Sequence, residues 1–479
     1  MRATHVILLA AVLILSLVSY GQVANSSSIS QDALTWPNTP AQPVSVGSVG
    51  QPDDDIADVP QLRATGFFTA YMPIVMSGYC TPFTIADPDF SPRQFDMRQI
   101  NADDAWLHCV QGDPGIIVAV IDTGVSQSHP DLAANLIPGA SFVPSEPSVE
   151  DGEGHGSNVA GIVGAALNNI GVVGVAPRTH LLPIKVLNSS GSGSTSWVAN
   201  GIVYAANSGA RILNMSLGGT ADSQTLHDAV NYAADTKGLL VVSSAGNCGD
   251  SYYPYNGCSY INQPLYPAAY SNVMAVAAVN SSDAKASFSN QGTYVDIAAP
   301  GVSIYNTYKN GGYIYESGTS QAAPHVAGLA ALIWARYPTY TAAQVRALME
   351  NTAVDLGTAG WDPQYGWGRI DAHAALNLTL SQAAPKANAA HAEMSSGDQR
   401  QAGIAPGRVL LKWKPGVSAA SAQQTIGALK AVSIEGQIEA LSVQLLRVPV
   451  GQEWSLIDQL RALPDVQYAE PDYAVWLIQ

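Results

Sequence analysis

The sequence contains one Asp-Thr-Gly motif, at residues 122–124, which follows a run of apolar residues. Such an aspartate could be half of the carboxylate pair of an aspartic protease, the residue that orients a histidine for a serine nucleophile, or a turn residue after a strand. The first chemistry needs a second, facing aspartate loop, so that two carboxylates share one proton. The nearest second motif, Asp-Leu-Gly at 355–357, lacks the hydroxyl residue and a preceding strand pattern. This argues against the aspartic-protease interpretation.

The serine interpretation finds its other members further along the chain. His155 lies in GHGSNVAG, directly ahead of an apolar helical pattern, and Ser320 lies in ESGTSQAAPHVAG at the start of another. A nucleophilic serine needs a base for its proton, and the base needs a carboxylate such as Asp122 to fix its tautomer and stabilise its charged form. A helix N-terminus presents backbone N–H groups to developing negative charge. Asn247, which follows an apolar strand pattern, offers a side-chain amide as a further donor.

Each of these four residues also has a purely structural interpretation. The aspartate can occupy a turn, and the histidine can be a buried, hydrogen-bonded side chain. The serine can cap a helix, which serine favours anyway, and the asparagine can hold a tight turn. Their occurrence together, each at a strand end or a helix start, favours the catalytic interpretation. Two further histidines near the motifs, His129 and His325, we assign to structure.

Alternating strands and helices are required to bring such distant residues together, and the sequence shows this alternation. Apolar runs rich in β-branched residues, typical of strands buried on both faces, occur at 115–121, 179–187, 210–217, 239–245 and 273–279. Helical patterns occur at 156–167, 196–209, 223–238 and 321–338. The sequence therefore predicts an α/β fold, a mostly parallel sheet covered by helices on both faces. Such sheets bind ligands beyond the carboxyl ends of their strands.

The three motifs, in the order Asp, His, Ser, resemble those of the subtilisin family of serine endopeptidases. The resemblance covers about residues 92–380. It implies a catalytic triad of Asp122, His155 and Ser320, with Asn247 as an oxyanion donor, and it implies that catalysis requires no cofactor.

Two positions differ from the usual pattern of that family. Ser157 stands where threonine is common, and Gln321 follows the serine where methionine is usual. Neither change removes a reacting atom, but Gln321 places a polar side chain beside the site.

The same resemblance implies where an extended polypeptide substrate binds. Its backbone would pair with two chain edges, a strand addition that gives affinity with little sequence preference. The residues implied for the two edges and for one wall of the pocket beside the scissile bond are Gly191, Ser192, Gly193, Ser216, Leu217, Gly218, Ser244, Ala245 and Gly246. The floor of that pocket would fall near 264–270, where Leu265 would make it shallower.

A structural calcium site is implied by the resemblance and supported only in part by the residues. Asp131 matches a position that can supply a carboxylate, whereas the loop at 166–174 is one residue shorter than the partner loop it resembles. A hard cation needs about six or more oxygen ligands, and only Asp131 and Asn169 can be placed. The sequence alone leaves open whether this loop binds a calcium ion or no ion.

The composition favours a soluble protein outside the cell. The chain has 479 residues, is 47% hydrophobic and 12% charged, and carries a formal net charge of −16. Nucleic acid is bound mainly by cations that neutralise phosphates, so we expect no nucleic-acid partner. Residues 1–24 combine a basic start, an apolar stretch and small residues, as secretory signal peptides do. We therefore expect secretion to the extracellular space, with no membrane anchor after cleavage.

The four cysteines are consistent with export. Disulfides persist in oxidising compartments, and four cysteines allow three pairings. We favour Cys80–Cys109 and Cys248–Cys258, because each pair closes a short local loop.

The last part of the chain has a different organisation. Segments 25–91 and 381–405 are aperiodic and linker-like, whereas 406–479 predicts strand, helix, two strands, helix and strand, a small ferredoxin-like α+β module. This module resembles the pro-domain that normally precedes proteases of the same family. We expect its final segment, 474–479, to occupy the substrate cleft, as an intramolecular inhibitor or folding aid. An inert relic or a generic interaction module is the alternative.

Together these patterns predict a secreted, monomeric serine endopeptidase that acts on extended polypeptides. The alternative from another class is a catalytically inactive peptide-binding protein of the same fold. The presence of all four reacting groups disfavours that alternative.

Overall fold

The computed structural model describes residues 84–250, 257–377, 400, 402–429 and 431–478, which belong to one compact unit, Ser77–Gln479. The predicted signal peptide and most of both predicted linkers lie outside these residues. The described strands are β1 (Ile117–Asp122), β2 (Ala140–Ser141), β3 (His180–Lys185), β4 (Ser192–Ser194), β5 (Ile212–Met215), β6 (Leu217–Gly218), β7 (Leu240–Ser244), β8 (Met274–Val279), β9 (Val295–Pro300), β10 (Ile304–Tyr308), β11 (Gly312–Glu316), β12 (Ile404–Trp413), β13 (Ser433–Ile438), β14 (Val443–Arg447) and β15 (Val466–Leu477).

The described α-helices are α1 (Phe90–Arg93), α2 (Phe95–Gln99), α3 (Ala102–Leu107), α4 (His155–Gly164), α5 (Thr195–Asn207), α6 (Gln224–Asn231), α7 (Thr319–Arg336), α8 (Ala342–Thr352), α9 (Ala372–Asn377), α10 (Ala419–Ala428) and α11 (Glu453–Arg461). A π-helical turn, Tyr232–Thr236, continues α6. None of the described helices is long and apolar enough to cross a membrane.

The central sheet has the strand order β2-β3-β1-β5-β7-β8-β9, and every pairing in it is parallel. Strand β1 lies in its interior, between β3 and β5. Because parallel strands end at the same edge, residues that follow β1, β5 and β7 meet at one side of the molecule. The predicted α/β fold class is confirmed.

Helices cover both faces of this sheet, as the continuous apolar runs require. Alternate residues of β1 belong to two cores: Val118 and Val120 pack with residues of α4, α7 and α8, whereas Ala119 and Ile121 pack with residues of α5 and α6. The apolar run of β1 is therefore buried on both sides, and this fixes the position of its last residue, Asp122.

The C-terminal module forms an antiparallel sheet in the order β13-β14-β12-β15, with α10 and α11 packed on one face. The predicted order of its elements and its α+β class are confirmed. Its other face contributes Leu410, Ile438, Leu441 and Val443 to the same apolar cluster as α5 and α6. The module therefore packs against the helices that flank the central sheet.

One of the two expected disulfides is confirmed within the described residues, Cys248–Cys258. The other expectation, Cys80–Cys109, depends on Cys80, which lies outside them. The expected boundaries at 92, 380 and 406 stay predictions.

Candidate active site

Asp122 and His155 form a buried pair at the carboxyl edge of the sheet. Asp122 ends β1, and His155 opens α4 after Gly154, whose φ of 120° favours glycine. The Nδ1 atom of His155 lies 2.9 Å from Oδ1 and 3.1 Å from Oδ2 of Asp122. The backbone N–H of Thr123 also donates to this carboxylate, at 2.7 Å. Both side chains are fully buried, so the carboxylate fixes the orientation of the ring.

Ser320 is the second residue of α7. Asn247 follows β7 and is oriented by Thr319, whose N–H and hydroxyl donate to its side-chain oxygen at 3.0 and 2.8 Å. The amide nitrogen of Asn247 therefore faces the cleft, where it donates to the carbonyl oxygen of Ile478 at 3.2 Å. The hydroxyl of Ser320 donates to the same carbonyl oxygen at 2.5 Å. Two independent donors thus converge on one backbone carbonyl.

The serine hydroxyl is bonded to carbonyls rather than to the histidine. Besides Ile478, it donates to the carbonyl of Ser216 at 3.1 Å. The Nε2 atom of His155 is buried and has no hydrogen-bond partner among the described residues. The structure thus shows the histidine–aspartate bond and the serine–carbonyl bond, while Nε2 of His155 has no partner among the described residues.

The electrostatic surroundings of His155 favour its protonated form. Burial alone opposes the imidazolium, but the carboxylate of Asp122, with Glu316 and Glu153, raises the pKa of His155 from 6.5 to about 9. Glu153 also accepts the backbone N–H of His155 at 2.7 Å. These two glutamates were not singled out from the sequence, although Glu316 is the first residue of the stretch ESGTSQAAPHVAG.

The predicted substrate edges hold the C-terminal strand of the chain itself. Residues 474–476 of β15 pair antiparallel with β4, and Trp476 and Leu477 pair antiparallel with β6. The N–H of Leu477 also donates to the carbonyl of Gly191 at 3.0 Å. The structure therefore brings 191–193 and 217–218 to opposite sides of one extended segment. Ser216 contacts the site differently, because its backbone carbonyl accepts a hydrogen bond from the hydroxyl of Ser320.

The predicted pocket wall also lies near the end of this segment. Ser244 ends β7, Ala245 is buried, and the N–H of Gly246 donates to the hydroxyl of Thr319 at 3.1 Å. The wall is thereby tied to the start of α7, the helix that carries the serine.

Two carboxylates dock the C-terminal module, and sequence reasoning missed both. Glu470, which is 5% exposed, accepts the N–H groups of Gln224 and Thr225 at 3.0 and 2.8 Å and the hydroxyl of Ser223 at 2.8 Å. These donors lie at the N-terminus of α6, where a negative charge is stabilised.

Asp472 makes the matching contact with α5. Fully buried, it accepts the N–H and the hydroxyl of Ser196 at 2.8 and 2.7 Å. The sequence predicted both helices, at 196–209 and 223–238, but not the contacts of these two carboxylates with them.

The expected calcium residues lie where β10 and β11 meet the loop at 166–174. Asp131 accepts the N–H of Val172 at 3.0 Å and the hydroxyl of Tyr313 at 2.8 Å, and its Oδ1 is buried without a partner among the described residues. Asp87, which the sequence did not indicate, brings a second such oxygen, Oδ2. The backbone N–H of Asn168, the residue before Asn169, donates to Oδ1 of Asp87 at 3.2 Å. No group of three or more His, Cys, Asp or Glu side chains suited to a metal occurs in the described part of the chain.

The two histidines assigned to structure are hydrogen-bonded. His129 Nε2 lies 2.9 Å from the carbonyl of Gly312, and His325 Nε2 lies 3.0 Å from Asp96. Ser157, one of the unusual positions, bonds to Asp151 at 2.7 Å.

Comparison with known proteins agrees with this fold. Residues 113–368, more than half of the chain, match the model of the subtilase family, and residues 395–472 match the fervidolysin N-terminal prodomain. The chain is similar to thermitase of Thermoactinomyces vulgaris, with 43% identity over 61% of this chain and 99% of that protein. It is also similar to Subtilisin Savinase of Lederbergia lenta, with 46% identity over 54% of this chain and 90% of that protein. Subtilisin E of Bacillus subtilis (strain 168) shares 48% identity over 59% and 70%, respectively.

The parallel sheet, the cleft at its carboxyl edge and these matches define a serine-type endopeptidase. The chain belongs to the subtilase family.

Proposed function

We propose that Asp122, His155 and Ser320 are the catalytic triad, and that Asn247 and the backbone N–H of Ser320 stabilise the oxyanion. The carbonyl of Ile478 carries this proposal, because it receives hydrogen bonds from both Ser320 and Asn247. A substrate carbonyl in that place would lie against the nucleophile Ser320 and would accept a hydrogen bond from Asn247. That hydrogen bond becomes stronger as the carbonyl oxygen gains negative charge in the transition state.

The reaction follows from these positions. Ser320 Oγ attacks the carbonyl carbon while its proton passes to Nε2 of His155, and Asp122 stabilises the resulting imidazolium. The C–N bond then breaks, and His155 returns the proton to the leaving amine. Water enters, gives a proton to His155 and attacks the ester carbon. The ester bond breaks, and Ser320 recovers its proton.

A covalent probe tests this assignment. A peptidyl phosphonate should label Ser320 in the full chain, and Ser320→Ala should lose both labelling and casein cleavage, with turnover reduced by about 10⁶-fold. Ser317→Ala, which changes an exposed serine three residues away, is the control and should keep both. Absence of labelling in a folded chain that also carries Glu470→Gln and Asp472→Asn, the two substitutions proposed below to release β15 from the cleft, would instead favour an inactive peptide-binding protein.

We further propose that the C-terminal module is an intramolecular inhibitor. Its strand β15 fills the cleft between β4 and β6, with Ile478 as the residue before the position of cleavage. Polypeptide substrates would have to displace it, because they need the same edges. The buried contacts of Glu470 and Asp472 with α6 and α5 support a docked state.

Neutralising the two docking carboxylates tests the inhibitor. Hydrogen bonds to charged groups contribute about 1.5–3 kcal/mol each, so Glu470→Gln with Asp472→Asn should raise turnover of a small peptide substrate by about tenfold or more. Asp458→Asn is the matched control, since this exposed carboxylate of the same module, on α11, pairs with Arg400. A double variant that is folded and no faster than the control would contradict the proposal.

The apolar N-terminal stretch supports secretion. We propose that the mature enzyme acts outside the cell on extended polypeptides. Expression of the full chain should place activity in the culture medium, and replacing two leucines of the stretch at 6–18 by arginine should retain it in the cells.

A further inference from the structure

Lys185 is a charged side chain at the end of the apolar strand β3. It is fully buried, although burial of an ammonium group is unfavourable unless the group is paired and hydrogen-bonded. A methionine of similar length would occupy this interior without that cost. The lysine meets two acceptors, the carbonyl oxygen of Thr123 and the carboxylate of Glu146, and these contacts distinguish it from an apolar side chain.

The first acceptor lies in the turn that follows Asp122. The ammonium nitrogen of Lys185 lies 2.5 Å from the carbonyl oxygen of Thr123, and the N–H of Thr123 donates to the Asp122 carboxylate at 2.7 Å. The next residue, Gly124, has a φ of 104°, and a Cβ atom there would collide with the carbonyl oxygen of Val149. Lys185 therefore holds one side of a crowded turn, and the other side of that turn orients Asp122.

The second acceptor connects Lys185 to the substrate edge. Oε2 of Glu146 lies 3.0 Å from the ammonium nitrogen, and Oε1 accepts the N–H and the hydroxyl of Ser189 at 2.9 and 3.0 Å. Ser189 lies in the turn between β3 and β4. The same turn contains Gly191, whose carbonyl accepts the N–H of Leu477 at 3.0 Å. Glu146 thus joins the turn that binds the extended segment to the buried ammonium.

The local contacts keep Glu146 charged and in place. Burial raises the pKa of its carboxyl, but the hydrogen bonds from Ser189 and the ammonium of Lys185 outweigh that effect and lower the pKa below its ordinary value. The hydroxyl of Ser141 donates to the backbone carbonyl of Glu146 at 2.6 Å, and the N–H of Phe142 donates to the carbonyl of Lys185 at 2.8 Å. The loop that carries the carboxylate is therefore attached to the strand that carries the ammonium.

We propose that Lys185 and Glu146 are positioning residues of the peptidase, which hold the turn of Asp122 and the substrate edge in one fixed arrangement. This inference rests on the proposed catalytic triad. Lys185 acts through Thr123, and Glu146 acts through Ser189. Attack on a peptide carbonyl needs the base and the bound substrate in register, and a misplacement of about 1 Å can lower the rate by about 10²-fold.

The turnover number separates the charge of Lys185 from its packing. In the full chain, Lys185→Met should lower kcat per phosphonate-titrated Ser320 by about tenfold or more, because the turn of Asp122 loses its ammonium donor. Lys185→Arg keeps the positive charge and should retain most of the wild-type kcat. The values are taken at saturating substrate, where β15 no longer competes. An equal loss in both variants, or no loss in Lys185→Met, would overturn the inference.

Glu146→Gln tests the connection to the substrate edge. Two thiobenzyl esters are compared: acetyl-Ala-Val-Trp-Leu-Ile, which copies 474–478, and acetyl-Ile, which stops before the position of Leu477. The ratio of their kcat/KM values, long over short, should fall by about threefold or more, because loss of the charge weakens the bonds from Ser189. Glu150→Gln is the matched control, since this exposed carboxylate accepts the N–H of Gln127 at 3.0 Å and should leave the ratio unchanged.

The ratio from one preparation is independent of the fraction of chains whose cleft β15 occupies. A ratio that is unchanged in Glu146→Gln, or that falls equally in Glu150→Gln, would overturn the inference. This comparison decides it alone if Lys185→Met yields no soluble chain. Failure of the phosphonate to label Ser320 in any of these chains, together with no hydrolysis of either ester, would instead overturn the proposed triad.

Discussion

The imidazole of His155 is balanced between two opposing effects. Its complete burial disfavours the positively charged form of the ring. The carboxylates of Asp122, Glu316 and Glu153 favour that form and outweigh the effect of burial. Gln321, which stands where methionine is usual in the family, donates to Glu316 at 3.0 Å and to Asn158 at 3.3 Å. The unusual polar residue thereby holds a carboxylate near the base, which an apolar side chain could not do.

Glu316→Gln should lower the pKa of His155 below its value of about 9. The substitution removes a negative charge that favours the imidazolium and keeps an oxygen for Gln321. Because the pKa is raised above 6.5, the stability that the charged pair contributes is present below pH 6.5 and is lost as the pH rises through about 9. In the variant that loss should again begin near pH 6.5 but should be complete at a lower pH, because the pKa of the folded state is lower. NMR titration of the ring in full-length Ser320→Ala, with and without Glu316→Gln, measures the change.

The control for this titration is Glu150→Gln, since Glu150 is exposed and its charge is screened by solvent. It should leave the pKa of His155 in place. An equal shift in both variants would mean that overall charge, rather than the neighbouring carboxylate, sets the pKa.

At the scale of elements, the site depends on where strands and helices end. Asp122 ends β1, Asn247 follows β7, and His155 and Ser320 open α4 and α7. These positions could be predicted from the sequence, because apolar runs and helical periods are local signals. The loop at 166–174 is different, since its partner Asp87 comes from a segment 79 or more residues away and carries no motif.

The buried oxygens of Asp87 and Asp131 predict a calcium dependence of stability. A hard cation would neutralise both carboxylates, whose burial is unfavourable while they are charged. At 100 times its dissociation constant a ligand stabilises by about 2.7 kcal/mol, so Ca²⁺ should raise the Tm of full-length Ser320→Ala by about 5–10 °C over EGTA. Asp87→Asn with Asp131→Asn should abolish this difference, and Asp465→Asn, an exposed control, should not. A Tm indifferent to Ca²⁺ would exclude the site.

The pairing of β15 with β4 and β6 in the cleft could not be predicted from local sequence patterns. The register that places the Ile478 carbonyl on Ser320 depends on pairings between residues more than 250 positions apart, such as Ala474 with Ser194. The sequence predicted only that the final segment would occupy the cleft, and did so through the resemblance of the module to a pro-domain. Leu265 packs in one buried cluster with Ile478, and this contact likewise depends on loop packing.

At the scale of the whole molecule, the catalytic domain and the C-terminal module whose strand β15 fills the cleft belong to one polypeptide. The edges of the cleft receive β15, the helices α5 and α6 receive Asp472 and Glu470, and the module's apolar face joins their core. Weak contacts at these places are sufficient to keep the module docked, because the covalent tether gives it an effective concentration of about millimolar. The docked state is therefore expected in every copy of the chain without a partner.

This intramolecular arrangement predicts that inhibition is independent of dilution. Specific activity of the wild type on a small peptide should be constant from micromolar to nanomolar enzyme, because the tethered module dissociates no further when the chain is diluted. Exchange of β15 between two copies would instead make specific activity rise on dilution, with a dimer visible by light scattering at the higher concentration. The Glu470→Gln, Asp472→Asn double variant should show the same flat profile at a higher level. A rise on dilution that coincides with loss of the dimer would show that the occupant of the cleft comes from a second copy.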